Sequence, residues 1–157
     1  MLLIVWHSRT GASRAMAEAA FDAAQGLAQI MPAAEALPEH LLAASGYLFA
    51  CPENLGSMSG PMKDLFDRCY YPLLGQVEGR PYATMIAAGS DGQGAQAQLD
   101  RIVTGWRLRR VAEPLIANLA AQTLQEILRP KQVPEPILEH CRELGAGLAQ
   151  GLNQGIF

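Results

Sequence analysis

The residues best equipped for chemistry in this sequence fall into three short stretches rich in hydroxyl groups and glycine. The first, Ser8-Arg9-Thr10-Gly11-Ala12-Ser13, lies between five consecutive apolar residues, Leu2 to Trp6, and a run of helical period. The leading amides of a helix have no intrahelical partner, and its dipole makes that end electropositive, so such a turn offers N–H donors to an anion. Ser8, Thr10 and Ser13 add hydroxyl donors, and Gly11 lets the backbone close in. Arg9 could add a charge-assisted bond or be simply solvated. Arg14, in the first helical turn, opposes the dipole unless an anion offsets it. The pattern suits a phosphate, although a plain strand-to-helix turn with Ser13 as N-cap uses the same residues.

The second stretch is Pro52-Glu53-Asn54-Leu55-Gly56-Ser57-Met58-Ser59, and the third is Gly89-Ser90-Asp91-Gly92-Gln93-Gly94. Both offer backbone N–H groups with little side-chain bulk. Glu53 could accept from a ligand hydroxyl or face solvent. His7 could donate a proton, or be a hydrogen-bonded structural histidine. His40 and His140 have no ligand partners at metal spacing, so no metal is expected.

The elements that must position these stretches are legible from periodicity. Leu2–Trp6, Gly46–Cys51 and Pro81–Ala88 read as strands buried on both faces. Leu27–Met31 is a weaker second strand, and Arg110–Ala117 a last one with Pro114 at an edge or bulge. Helical stripes follow Ser13 (Met16, Ala20, Ala24), Pro61 (Met62, Leu65, Phe66, Cys69) and Gly94 (Leu99, Ile102, Val103, Trp106). Pro38 opens a short helix and Pro136 a final one carrying Cys141, Leu144 and Leu148. The helix before Pro72 is expected to stop at Tyr71. Residues 118–134 stay unassigned beyond a turn or two of helix near Leu124, Ile127 and Leu128.

Alternating strands and helices predict an α/β fold, a five-stranded parallel sheet of order 2-1-3-4-5 with helices on both faces, over a single domain spanning 1–157. A ligand then belongs at the carboxyl ends of the first and third strands, where the order reverses. All three hydroxyl- and glycine-rich stretches follow strands at that end. With 50% hydrophobic and only 17% charged residues the chain is globular rather than disordered. A net charge of −3 with no dense Lys/Arg run argues against nucleic acid. No apolar stretch reaches the roughly 20 residues of a membrane span. Cys51, Cys69 and Cys141 are scattered and odd in number, which fits the cytoplasm better than a disulfide framework.

Ser-x-Thr-Gly-x-Ser after an N-terminal strand resembles the loop by which flavodoxin-like proteins hold the monophosphate of FMN. The second stretch, continued by Gly60-Pro61-Met62-Lys63 and Leu65-Phe66-Asp67, resembles NAD(P)H-dependent FMN and quinone reductases of that superfamily. Ala88-Gly89-Ser90-Asp91-Gly92 is similar to their glycine-rich turn beside the flavin. The resemblance implies a flavodoxin-like three-layer sandwich. It also implies FMN contacts from Ser8, Arg9, Thr10, Gly11, Ala12 and Ser13, from Pro52, Glu53, Asn54, Leu55, Gly56, Ser57 and Met58, and from Gly89, Ser90, Asp91 and Gly92.

No catalytic side chain is nominated, because hydride passes directly between nicotinamide and flavin. The implied reaction is electron transfer from NAD(P)H through FMN to a quinone, a flavin or another small acceptor. A flavodoxin-type one-electron carrier docking on protein partners is the alternative. The second and third stretches contain no Phe, Tyr or Trp to shield the flavin, and −3 is a modest charge for steering to basic partners; both favour the reductase. The resemblance further implies a homodimer or homotetramer, with Tyr70 and Tyr71 either presenting aromatic surface or covering the chain's own core. A P-loop is excluded by the lack of Gly-Lys-Ser/Thr, and a low-molecular-weight phosphatase by the lack of any Cys before Cys51.

Overall fold

The computed structural model describes residues 1–157. Its elements run β1 (Leu2–Trp6), α1 (Ala12–Ala23), β2 (Ala28–Pro32), α2 (Pro38–Ala43), β3 (Gly46–Asn54), β4 (Ser57–Met58) and α3 (Gly60–Leu73). They continue with β5 (Pro81–Ala88), α4 (Gln93–Gly105), β6 (Arg109–Arg110), β7 (Leu115–Asn118), α5 (Leu124–Leu128) and α6 (Glu135–Asn153). The sheet order is β2-β1-β3-β5-β6, with β7 also paired to β5 and the short β4 antiparallel to β3. Every other pairing is parallel.

The expected five-stranded sheet of order 2-1-3-4-5 needs one correction: the sheet has 7 strands. The fifth position is filled by two pieces, β6 against Pro81 and Tyr82, and β7 against Met85 to Ala88. Pro114 lies in the break between them, where a residue with no N–H cannot continue the ladder. The second addition is β4, which turns the chain back on β3 where a plain loop was expected. Helix α3 also passes the expected stop at Tyr71 and carries Pro72 in its last turn.

Alternation along the buried strands divides the core in two. Leu3, Val5, Tyr47 and Phe49 pack under α2, α3 and α4 with Met62, Leu65, Phe66, Leu99 and Trp106. Leu2, Ile4, Leu48 and Ala50 pack under α1 and α6 with Met16, Ala20, Cys141 and Leu148. Strands covered on both faces are why these segments read as unbroken apolar runs. On the second face α1 and α6 approach closely: a Cβ at Gly145 would meet the backbone of Ala20. Tyr70 lies against Trp106 with ring centroids 5.9 Å apart, whereas Tyr71 is exposed. All three cysteines are free and buried. Burial pushes the Cys51 thiol up to about 12 and the Cys141 thiol to about 11, so neither is a nucleophile near neutral pH. No helix is long and apolar enough to cross a membrane.

Candidate functional site

Parallel strands deliver their following loops to one end of the sheet. There the loops after β1, β3 and β5 surround a cavity of about 350 Å3, within the size range of small-molecule sites.

The first loop is shaped by Gly11, whose φ of 99° is left-handed and which caps α1. Its N–H donates to Ser8 Oγ at 3.0 Å, closing the turn. The amides of Thr10, Ala12 and Ser13 have no partner within the chain. Ser13 is 1% exposed, yet its Oγ makes no hydrogen bond. An orphaned buried hydroxyl is rare and marks a place completed by something else. Arg9 is exposed and forms no ion pair, whereas Arg14 pairs with Glu18 at 2.7 Å and lies over the Trp6 ring. The helix-dipole mismatch read from Arg14 is thus met locally.

The second loop is a hairpin in which Asn54 pairs with Ser57 around the two turn residues Leu55 and Gly56. Their φ values are 54° and 73°, the twist a two-residue hairpin needs. Gly56 adopts this freely, but Leu55 is a bulky residue in left-handed conformation and is fully exposed. That conformation costs about 1–2 kcal/mol. Leu55→Asn should therefore raise the denaturant midpoint of the ligand-free protein by the equivalent of about 1 kcal/mol; an unchanged midpoint would show the strain is not there.

Glu53 does not point its carboxylate at the cavity space alone. Oε1 accepts from the Gly92 N–H at 2.9 Å and Oε2 from the Ala95 N–H at 3.0 Å, so Glu53 caps α4 from outside it. A Cβ at Gly94 would strike the Gly56 carbonyl, so the second loop and α4 touch backbone to backbone. Gln98 of α4 completes the link, its Oε1 accepting from Ser57 Oγ at 2.8 Å and from the Met58 N–H at 2.9 Å.

The third loop carries Gly89 and Ser90 to the wall before Gly92, at φ 92°, caps α4. Gly89 has no room for a side chain: a Cβ would sit 2.6 Å from the Ala121 carbonyl oxygen. That carbonyl belongs to a fourth wall, the strap of residues 118–131. The strap begins where Asn118 Nδ2 donates to the Ser90 carbonyl at 2.7 Å and the Leu119 N–H to the Ala88 carbonyl at 2.8 Å. It continues through α5, capped by the reciprocal Thr123 and Glu126 bonds. It ends where the Lys131 N–H donates to the Thr10 carbonyl at 2.8 Å.

Of the residues nominated from sequence, Ser8, Arg9, Thr10, Ala12 and Ser13, then Pro52, Glu53, Asn54, Leu55 and Gly56, then Gly89 and Ser90 line this one cavity. Gly11, Ser57, Met58, Asp91 and Gly92 lie off its wall. Gly11 and Gly92 are occupied with the left-handed turns that start α1 and α4. Ser57 and Met58 are turned toward Gln98, with Met58 in the core, and Asp91 is exposed. His7 is also off the wall; its Nδ1 is 2.8 Å from Ser59 Oγ, and burial holds its pKa below the ordinary histidine value. The wall residues not nominated are Ala87, Ala88, Leu119, Ala121, Ile127 and Lys131. Four of these belong to the strap, where the Leu124, Ile127 and Leu128 pattern predicted only a turn or two of helix and the Thr123-x-x-Glu126 capping box is a further signal.

The arrangement offers free amides, the three hydroxyls of Ser8, Thr10 and Ser13, and the cations Arg9 and Lys131 at one end. The remaining wall is largely aliphatic, with Leu55, Leu119 and Ile127 among its residues. It suits a ligand with an anionic tail and a flat, largely apolar body.

Comparison with known proteins agrees with this chemistry. The sequence model for NADPH-dependent FMN reductase matches residues 9–123. A flavodoxin of Aquifex aeolicus (strain VF5) is 29% identical over 158 residues, covering 95% of this chain and 85% of that protein. A flavodoxin from the domain Archaea superposes with TM-score 0.78 at 17% identity, covering 97% of this chain and 98% of that one. The flavodoxin, WrbA-like protein from Agrobacterium tumefaciens gives TM-score 0.78 at 19% identity, over 98% of this chain and 97% of its own. Fold, loop chemistry and a family match over most of its length agree: the chain has the flavodoxin-like fold and belongs to the NADPH-dependent FMN reductase family.

Proposed function

We propose that the chain acts as a single-domain FMN-dependent oxidoreductase, taking electrons from NADH or NADPH and passing them to a quinone, a free flavin or another small acceptor. The observation that carries the reading is the buried, unpartnered Ser13 hydroxyl on the cavity wall beside unpaired amides. Donors of this kind fit a phosphate monoester, so FMN fits better than a flavin lacking phosphate. In this reading Ser8, Thr10 and Ser13 bind the phosphate, with Arg9 adding charge. Pro52 to Gly56 and Gly89 to Ser90 run beside the ring, and backbone N–H groups there set its electronic character. Bound FMN supplies hydride acceptance and onward electron transfer. The protein's part is binding, orientation and exclusion of water.

Enzyme is favoured over carrier by the wall. Leu55, Leu119 and Ile127 are aliphatic and no aromatic ring lines the cavity, which leaves room for a nicotinamide to stack. The carrier reading is supported by the flavodoxin from Aquifex aeolicus. A homodimer or homotetramer belongs to the same proposal, with exposed Tyr71 as an aromatic contact.

Anaerobic addition of NADH or NADPH to the FMN-loaded protein decides between the two. The expected result is bleaching of the visible flavin bands within turnover time. Leu55→Trp should slow that bleaching severalfold while FMN affinity stays near wild type, since only access is obstructed. Flavin that responds to neither nicotinamide, yet is reduced by a chemical reductant, would transfer the assignment to the carrier.

A further inference from the structure

The strap ends on Lys131, whose position is unusual for a surface lysine. Its Nζ donates to the Ile127 carbonyl at 2.9 Å and the Arg129 carbonyl at 2.8 Å, both at the C-terminal end of α5. The third donor has only a long contact, 3.5 Å, to Thr10 Oγ1 in the first loop. No carboxylate pairs with this ammonium, nor with Arg9 on the same wall. The main chain fixes the placement, because the Lys131 N–H donates to the Thr10 carbonyl at 2.8 Å. A lysine on its own helix's last carbonyls is a common cap. Here the cap also delivers a positive charge to the cavity wall shared with Ser13 and its unpartnered hydroxyl.

Resting on the FMN reading above, we propose that Lys131 is a phosphate clamp, which ties the strap to the ligand's phosphate monoester and steadies the cavity's fourth wall when that phosphate binds. Two carbonyls hold the ammonium in place, so its remaining proton reaches the dianion with little further loss of side-chain freedom. Because Leu119, Ala121 and Ile127 stand on the same strap, a cation drawn to the phosphate also sets the aliphatic wall along the body of the ligand. Burial and the neighbouring Arg129 hold the Lys131 pKa below the ordinary lysine value, a crowding that a bound anion relieves. Lys131 also lies outside residues 9–123, the span the reductase family model matches.

The test uses the full chain freed of flavin, titrated with FMN and with riboflavin by fluorescence quenching. Lys131→Met should weaken FMN by about tenfold, as loss of one partly exposed charge-assisted bond implies, and leave riboflavin unchanged. Lys131→Arg should recover part of the loss. Amide exchange across residues 119–131 should slow with FMN in the wild type, but not with riboflavin and not in Lys131→Met. If Lys131→Met lowers both affinities alike, or neither, the lysine is a helix cap and the clamp is overturned. Should Lys131→Met prove unfolded, Lys131→Gln gives the same comparison. A wild-type protein that binds FMN no better than riboflavin overturns the phosphate-loop reading and the clamp together. Preference for FMN that is undiminished in Lys131→Met overturns the clamp alone.

Discussion

Replacing Ser13 by Ala should make the ligand-free protein more stable and its FMN affinity much worse. The two effects have one cause. In the free protein the Ser13 hydroxyl is buried without a partner, and an unsatisfied buried donor costs about 1–3 kcal/mol. Alanine removes that cost and is the better helix former at the second position of α1. In the complex the same hydroxyl would donate to a phosphate, a bond to a charged group worth about 1.5–3 kcal/mol, or roughly 10- to 150-fold in affinity. Urea unfolding without flavin should give a midpoint shifted upward by about 1 kcal/mol equivalent. Titration should give a large loss for FMN and almost none for riboflavin. An unchanged FMN affinity, or equal losses for both flavins, would remove the phosphate from this loop.

Glu53→Ala should fail differently, by releasing two loops at once. The Glu53 carboxylate accepts from Gly92 and Ala95 and so caps α4 from the second loop. An N-cap contributes about 0.5–2 kcal/mol, and a bond to a charged group about 1.5–3 kcal/mol. The two bonds share one carboxylate and do not add fully, so the expected loss is about 2–4 kcal/mol. Both flavins should then weaken together, since in the proposed reading the second and third loops run beside the ring rather than the phosphate. Glu53→Gln keeps one acceptor and should lose about half as much. Stability within a few tenths of a kcal/mol of wild type would mean the cap is solvated and the loops hold without it.

What repeats locally in this chain could be read from its residues. Strands buried on both faces give themselves away as apolar runs, and β1, β3 and β5 fall where Leu2–Trp6, Gly46–Cys51 and Pro81–Ala88 predict. β3 outruns its apolar segment, because Pro52 to Asn54 stay in the sheet through backbone pairing with β5 and β4, which hydropathy does not register. The last strand was visible as one run, but Pro114 breaks it. The three loops were legible because glycine and hydroxyls cluster there for local reasons of turn geometry. The strap was not, since it faces the site through Lys131 and Thr10, which are 121 residues apart. Glu53 is visible in the sequence as a carboxylate, but its partners are the amides of Gly92 and Ala95, 39 and 42 residues further on.

The dependence of the first loop on residues so distant has a consequence for the growing polypeptide. Residues 8–13, 52–58 and 89–94 leave the ribosome with their strands, yet the strap that closes the cavity and the α6 surface that packs on α1 follow later. Until then the Met16, Ala17 and Ala20 face of α1 has no α6 to cover it. A nascent chain thus holds three sides of its ligand site well before the fourth, and completes the fourth only with residues 118–131. A cavity walled on all four sides thus exists only once residues 118–131 have been added.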